Sequence, residues 1–262
     1  MFDGLKDWVS PPPRDVRIVF LHIAKCGGTS IRRAMAECFK PWRSTQRDSV
    51  LELDEMAVRE AAASGRVHHS EARRALLAYH LATTNAGLVA GHYRYSRSVF
   101  ERYRAAWSFI TILRHPVDRW YSNYFFNASR PEGNIYRIDL PIEEFIRTER
   151  ATLLGTELVR SFADLDDPAA AVEEDAAARA IENLRDLSFV GTLEDLPSFT
   201  RFFSESFGCS LDIPTLNRTP SDGPKPRAGV DPGVAERVRE LCLPDLAVYK
   251  AFFPEIADRD DA

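Results

Sequence analysis

The sequence predicts an α/β protein, a parallel sheet with helices on both faces. Three observations lead there. Short apolar runs rich in β-branched residues alternate with longer stretches of helical spacing, the pattern of strand–helix–strand units. The first run ends directly in a glycine turn that opens a helix. And 262 residues are enough for one large domain with a full core.

The elements follow in chain order. Val16 to His22 (VRIVFLH) is a buried parallel strand, because a glycine turn, Ala24-Lys25-Cys26-Gly27-Gly28, follows at once. Thr29 to Phe39 places Ile31, Ala34, Met35 and Cys38 at helical spacing. Residues 48–82 are rich in Ala, Glu, Arg and Leu and are expected to form two helices, broken near Gly65. Gly87 to His92 and Trp107 to Leu113 are the second and third strands. Pro116 suits the first turn of a helix, where its missing N–H costs nothing, and that helix is expected to reach about Asn127. Residues 128–140 carry Pro131, Gly133 and Asn134 and are expected to be a loop. An acidic, alanine-rich helix is expected from Pro168 to Asp186, a fourth strand at Phe189–Gly191, and a helix over Leu196–Phe207. Residues 212–232 hold five prolines and two glycines, an ordered loop or a lid. Helices over Asp231–Leu241 and Asp245–Phe252 end the series. The organisation expected is an N-terminal extension, 1–15, and one domain, 16–262.

Composition narrows the function. A net charge of −5 leaves no global basic surface for nucleic acid. No apolar run approaches the roughly 20 residues of a membrane span. Met1 to Pro13 lacks the charged-then-apolar pattern of a signal peptide, so a cytoplasmic protein is expected. Cys26, Cys38, Cys209 and Cys242 show no metal-site spacing, and a disulfide framework is not expected in a reducing compartment.

The chemistry gathers at two strand ends. A strand, a glycine turn and a helix point backbone N–H groups and the helix dipole at one spot. Gly27 and Gly28 let the backbone approach an anion, Lys25 adds charge, and Thr29 and Ser30 add hydroxyls. A tight turn with a solvated lysine is the plain alternative; the coincidence of all these parts favours an anion site. A kinase-type loop needs G-x-x-x-x-G-K-[ST], and here the lysine precedes the glycines, so donors that need no metal fit better. At the second end, Arg114 leaves a strand and Ser122 follows about two helical turns later. A guanidinium fork and a hydroxyl suit a phosphate. Arg119 on the same helix is a phosphate ligand or an ion-pair partner.

These two segments carry a family resemblance. His22-Ile23-Ala24-Lys25-Cys26-Gly27-Gly28-Thr29-Ser30 resembles the H-x-P-K-[TC]-G-[GS]-T-S segment of sulfotransferases that use PAPS (3′-phosphoadenosine 5′-phosphosulfate). Its nearest likeness is to the branch of heparan sulfate 2-O-sulfotransferases and their bacterial relatives. Leu113-Arg114-His115-Pro116 through Arg119 and Ser122 resembles that family's L-R-x-P-x-x-R-x-x-S motif for the 3′-phosphate. Residues 189–194 and 216–219 look like weaker later blocks. Ala24 stands where proline is usual and Cys26 where threonine is common. The resemblance implies the P-loop-NTPase-like sulfotransferase fold, PAPS as donor without a metal, and donor contacts from Lys25, Cys26, Gly27, Gly28, Thr29, Ser30, Arg114 and Ser122. It also implies an acceptor with a free hydroxyl, an anionic glycan among the candidates.

Of six histidines, His92 draws the role of general base. It follows a strand end, where active-site groups of open α/β sheets collect, and Ala90-Gly91-His92-Tyr93 resembles the block holding the family's proposed base. A structural histidine at the strand end is the alternative. His22 is expected to orient the loop, His115 to point away, and His68 and His69 to be solvated. Tyr93, Arg94, Tyr95, Arg97, Arg102, Tyr103 and Arg104 follow His92, and they suit either an anionic sugar or a solvated helix face. Lys25 beside a helix N-terminus raises the idea of a reactive Cys26 thiol; an inert residue explains it equally. A kinase with a degenerate loop and a non-catalytic nucleotide-binding module are the rival functions.

Overall fold

A computed structural model describes residues 16–39, 50–165, 167–173, 175–213 and 229–257. The expected N-terminal extension and most of the proline-rich loop lie outside the described residues, as does the 216–219 block.

Five strands form one parallel sheet: β1 (Ile18–His22), β2 (Val50–Glu52), β3 (Leu88–Gly91), β4 (Ser108–Leu113) and β5 (Phe189–Thr192). The spatial order is β2-β3-β1-β4-β5, and every pairing is parallel. The helices are α1 (Gly28–Phe39), α2 (Glu55–Gly65), α3 (His69–Thr83), α4 (Arg97–Tyr103), α5 (Pro116–Ala128), α6 (Ile142–Phe145), α7 (Glu149–Gly155), α8 (Glu157–Phe162), α9 (Ala176–Arg185), α10 (Leu196–Phe207), α11 (Pro232–Leu241), α12 (Leu243–Lys250) and α13 (Pro254–Ala257).

The α/β expectation is borne out, and side-chain alternation explains it. Successive strand residues point to opposite faces. Ile18, Phe20, Leu88, Ala90, Ile110 and Ile112 pack with α1 and α10 on one face. Val19, Leu21, Val89, Phe109 and Leu113 pack with α3, α4, α8, α9 and α12 on the other. A third cluster, centred on Trp120, joins α5, α6, α7 and α11.

Two elements differ from the sequence reading. Residues 50–52 form an edge strand rather than the start of a helix. Three residues are too few to show a period of two, and the strand exists only because β3 pairs with it. The helix then starts at Glu55, with Asp54 accepting from the N–H groups of Met56 and Ala57 at 2.9 Å. The expected Pro168–Asp186 helix begins only at Ala176, after a 3-10 turn at Pro168–Val172. The break near Gly65 is observed, with Arg66 in the left-handed region at φ 53° ending α2.

Cysteine pairing is a further correction. Cys38, near the end of α1, is disulfide-bonded to Cys209, just past α10, with Cα atoms 6.2 Å apart. Both helices lie on the same face of the sheet, a proximity that sequence spacing does not reveal. Such bonds persist in oxidising surroundings, so the pair sits poorly with the expected cytoplasmic residence. No helix among the described residues is long and apolar enough to cross a membrane. The bond closes a separation of 171 residues, and reducing it is expected to lower stability by about 2–4 kcal/mol. Denaturation with and without reductant checks this; coincident curves, or four reactive thiols in the unreduced, unfolded protein, would refute the bond.

Candidate functional site

The carboxyl ends of β3, β1 and β4 lie side by side. In the pairing register Leu21 faces Gly91 and His22 faces Ile112. His92, the Lys25 turn and Arg114 therefore leave three neighbouring strands at one level. From β1 the chain departs toward β2, and from β4 toward β5. The gap between β1 and β4 is thus the switch point at which open α/β sheets bind ligands.

The turn is built for close approach. Lys25 has φ 69° and Gly27 φ 72°. For lysine the left-handed region costs about 1–2 kcal/mol, strain of a kind that clusters at functional sites. A Cβ on Gly27 would come within 2.6 Å of Leu193, and one on Gly28 within 2.0 Å of the His22 imidazole. Both positions are closed to larger residues. Cys26 N–H donates to Ile23 O at 3.3 Å and Ser30 N–H to Gly27 O at 3.1 Å. The N–H groups of Gly27, Gly28 and Thr29 donate to no acceptor among the described residues. Three of the five amides expected to face an anion are therefore uncommitted, at the head of a 12-residue helix. Thr29 is exposed, whereas Ser30 is buried.

Arg114 reaches this turn directly: its Nη1 donates to Lys25 O at 3.2 Å. Lys25 Nζ lies 3.7 Å from the centre of the Phe126 ring, and Arg130 Cζ lies 4.6 Å from the same ring. Ser122 precedes Phe126 by one helical turn, so it shares the face of α5 turned to Lys25. Neither Lys25, Arg114 nor Arg130 pairs with a carboxylate among the described residues. Burial, with Arg114 and Arg130 beside it, lowers the Lys25 pKa from the ordinary lysine value. Cations without carboxylate partners create a local positive potential that favours an anion.

His92 is held by the same turn. Its Nδ1 lies 2.8 Å from His22 O. A carbonyl oxygen only accepts, so Nδ1 carries the hydrogen and a neutral His92 has its free lone pair on Nε2. The two imidazoles stack with ring centres 4.3 Å apart. His22 thus lies between Gly28 and His92, in contact with both. Burial, with His92 and Arg32 nearby, holds its pKa well below the ordinary histidine value. A group with a depressed basic pKa stays neutral in the folded chain while the unfolded chain takes up a proton near pH 6.5. Its stabilising contribution is present above that pH and lost as pH falls. Melting temperatures between pH 7.5 and 5.5 are expected to fall more steeply for wild type than for His22→Gln; equal slopes would contradict this.

Other expectations are settled or corrected. Arg119 is an ion-pair partner: it is fully buried, 3.8 Å from the equally buried Asp245, and it donates to Leu154 O. Cys26 is buried, and that burial raises its pKa to about 12, which favours the inert over the reactive reading. His115 is buried against Tyr249, with its backbone N–H donating to Glu194 Oε1 at 3.1 Å. His69 is half-buried rather than solvated, and burial, with Arg73 beside it, lowers its pKa to about 4. Tyr93 and Tyr95 belong to the core. Arg97 turns to Asp186 and Glu182, and Arg104 lines a hollow at the amino ends of β1 and β4, the far end of the sheet.

Sequence reading missed Phe126 and Arg130. Phe126 was detectable as the residue one turn after Ser122. Arg130 sits in a stretch read only as loop, oriented by an Asn127 side chain that accepts from its Nε at 2.9 Å.

Comparison with protein-family models and with curated proteins gives no match. Among solved structures, the chain is similar to a sulfotransferase from Alicyclobacillus acidocaldarius. The identity is 15%, over 93% of this chain and 99% of that one, with a TM-score of 0.47. At that similarity neither substrate nor mechanism carries over.

Proposed function

We propose that this chain is a sulfotransferase that moves a sulfuryl group from PAPS to an acceptor hydroxyl, with a carbohydrate as the acceptor. The observation that carries the reading is the contact between Arg114 and the Lys25 turn. It joins two strand-end segments into one cationic site with three uncommitted amides. A ligand bearing phosphates at two ends matches that pairing. The Lys25 turn takes the 5′ phosphosulfate, and Arg114 with Ser122 takes the 3′-phosphate, as the motif resemblance implies.

The residues present fit such a donor, which brings the transferable sulfuryl group and a stable bisphosphate leaving group. Gly27, Gly28 and Thr29 offer N–H donors, and Lys25 adds charge where the bridging oxygen becomes negative, stabilisation by donors fixed in advance. The Cys26 contribution is steric, filling the space beneath the turn. His92 takes the acceptor proton on Nε2, its tautomer fixed by His22 O. The sulfuryl group then passes in line from phosphate oxygen to acceptor oxygen.

Adenosine 3′,5′-bisphosphate is expected to stabilise the protein by about 2.7 kcal/mol at a hundred times its dissociation constant, with AMP, ADP and ATP doing less. Thermal-shift titration tests this; a preference for ATP would overturn the reading in favour of a kinase. Arg114→Ala is expected to weaken bisphosphate binding at least about tenfold, since charge-assisted pairs with phosphate are among the stronger contacts. Unchanged affinity would remove Arg114 from the donor site.

A further inference from the structure

Arg130, beside the Lys25 turn, is linked through Tyr136 to another arginine, Arg59, and among the described residues neither has a carboxylate partner. Arg130 lies over Phe126, which also carries Lys25, and its Cζ is 5.4 Å from the centre of the Tyr136 ring. On α2, Arg59 lies 5.2 Å from the centre of that ring and donates to its hydroxyl at 3.3 Å. Two guanidinium groups thus lie against the Tyr136 ring, and Arg150 holds the backbone there by donating to Tyr136 O and Arg137 O. Among the described residues neither Arg59 nor Arg130 has a salt bridge. The nearby acid, Glu55, is paired with Arg73, and its Oε1 also accepts from the Tyr136 hydroxyl at 3.5 Å, while it makes no salt bridge to Arg59 or Arg130.

This pair borders the His92 side of the sheet. Leu53 N–H donates to Ala90 O at 3.0 Å, and a Cβ on Gly91 would lie 2.4 Å from Leu53 Cβ. The corner between β2 and α2 is therefore pressed against the strand end that delivers His92. Starting at Lys25, the rim runs through Phe126, Arg130, Tyr136 and Arg59 to that corner. It then returns through His92 and His22 to Lys25.

An acceptor approaching His92 within this rim meets two cations preorganised on one aromatic ring. We propose that Arg59 and Arg130, bridged by Tyr136, bind an oxyanion carried by the acceptor, a carboxylate or a sulfate ester, near the hydroxyl that His92 deprotonates. This rests on the proposed sulfotransferase function and names the chemistry of its acceptor. Beyond the N–H that Arg59 gives to the Tyr136 hydroxyl and the Nε–H that Arg130 gives to Asn127, each guanidinium keeps further N–H donors for such an oxyanion.

The test uses the full chain saturated with adenosine 3′,5′-bisphosphate, titrated separately with inorganic sulfate and with glucuronate while stability is followed. A saturable second response is expected, and the arm that gives it identifies the oxyanion. Arg59 is exposed, so Arg59→Gln should fold normally, keep bisphosphate affinity and weaken the second response by about tenfold. Arg59→Lys should retain most of it. No saturable response in either arm, or a response indifferent to Arg59→Gln, overturns the subsite. Failure of the wild type to bind bisphosphate is a different result: it removes the sulfotransferase reading and the subsite with it.

Discussion

Replacing His92 by glutamine is expected to lower turnover by roughly 10²–10⁴-fold, the usual share of general acid–base catalysis, while bisphosphate affinity stays within about twofold. The split follows from geometry. Among the described residues, the hydrogen bond and ring contact of His92 in this region are with the His22 carbonyl and the His22 ring, so its replacement is expected to leave the three uncommitted amides and Arg114 in place. Glutamine can still donate to His22 O but has no basic nitrogen to accept the acceptor proton. Transfer from labelled PAPS, measured beside bisphosphate binding, gives both quantities. Near-normal turnover would remove His92 as base. Lost turnover with equally lost binding would make it a structural support for the turn.

Breaking the Arg119–Asp245 pair should have the largest effect on stability. Arg119 and Asp245 are both fully buried. Asp245 also accepts from the N–H groups of Leu158 and Val159, at 2.9 and 3.0 Å, fastening the head of α8. Burial pushes the Asp245 carboxyl up to about 7, opposed by Arg119 and those two amides. Removing the arginine leaves a buried acid without its counter-charge, and such losses cost about 3–5 kcal/mol. Arg119→Met is therefore expected to lower stability by that amount, measured by denaturant titration. Bisphosphate affinity of the remaining folded protein should be unchanged. A stable variant that has lost bisphosphate binding would return Arg119 to the donor site. The double variant Arg119→Met/Asp245→Asn should recover part of the loss, because no unpaired charge then stays buried.

The sequence by itself determined the strand–turn–helix unit at Lys25, the strand before Arg114 and the strand before His92. Each is a local matter: a short apolar run stopped by glycine, proline or a polar residue shows its period and its end within ten residues. The glycine turn itself was legible for the same reason, whereas the packing of Gly27 against Leu193, a residue far along the chain, was not. Only the tertiary structure decided the strand order, and hence that Lys25, His92 and Arg114 share one edge of the sheet. It also decided between two roles for Arg119, because a buried carboxylate 126 positions later, Asp245, lies beside it. Cys38 with Cys209, and Phe126 with Arg130 at the Lys25 turn, belong to the same group. These are contacts between segments distant in sequence, fixed by which apolar faces pack together. No local pattern encodes a partner that only the folded core brings near.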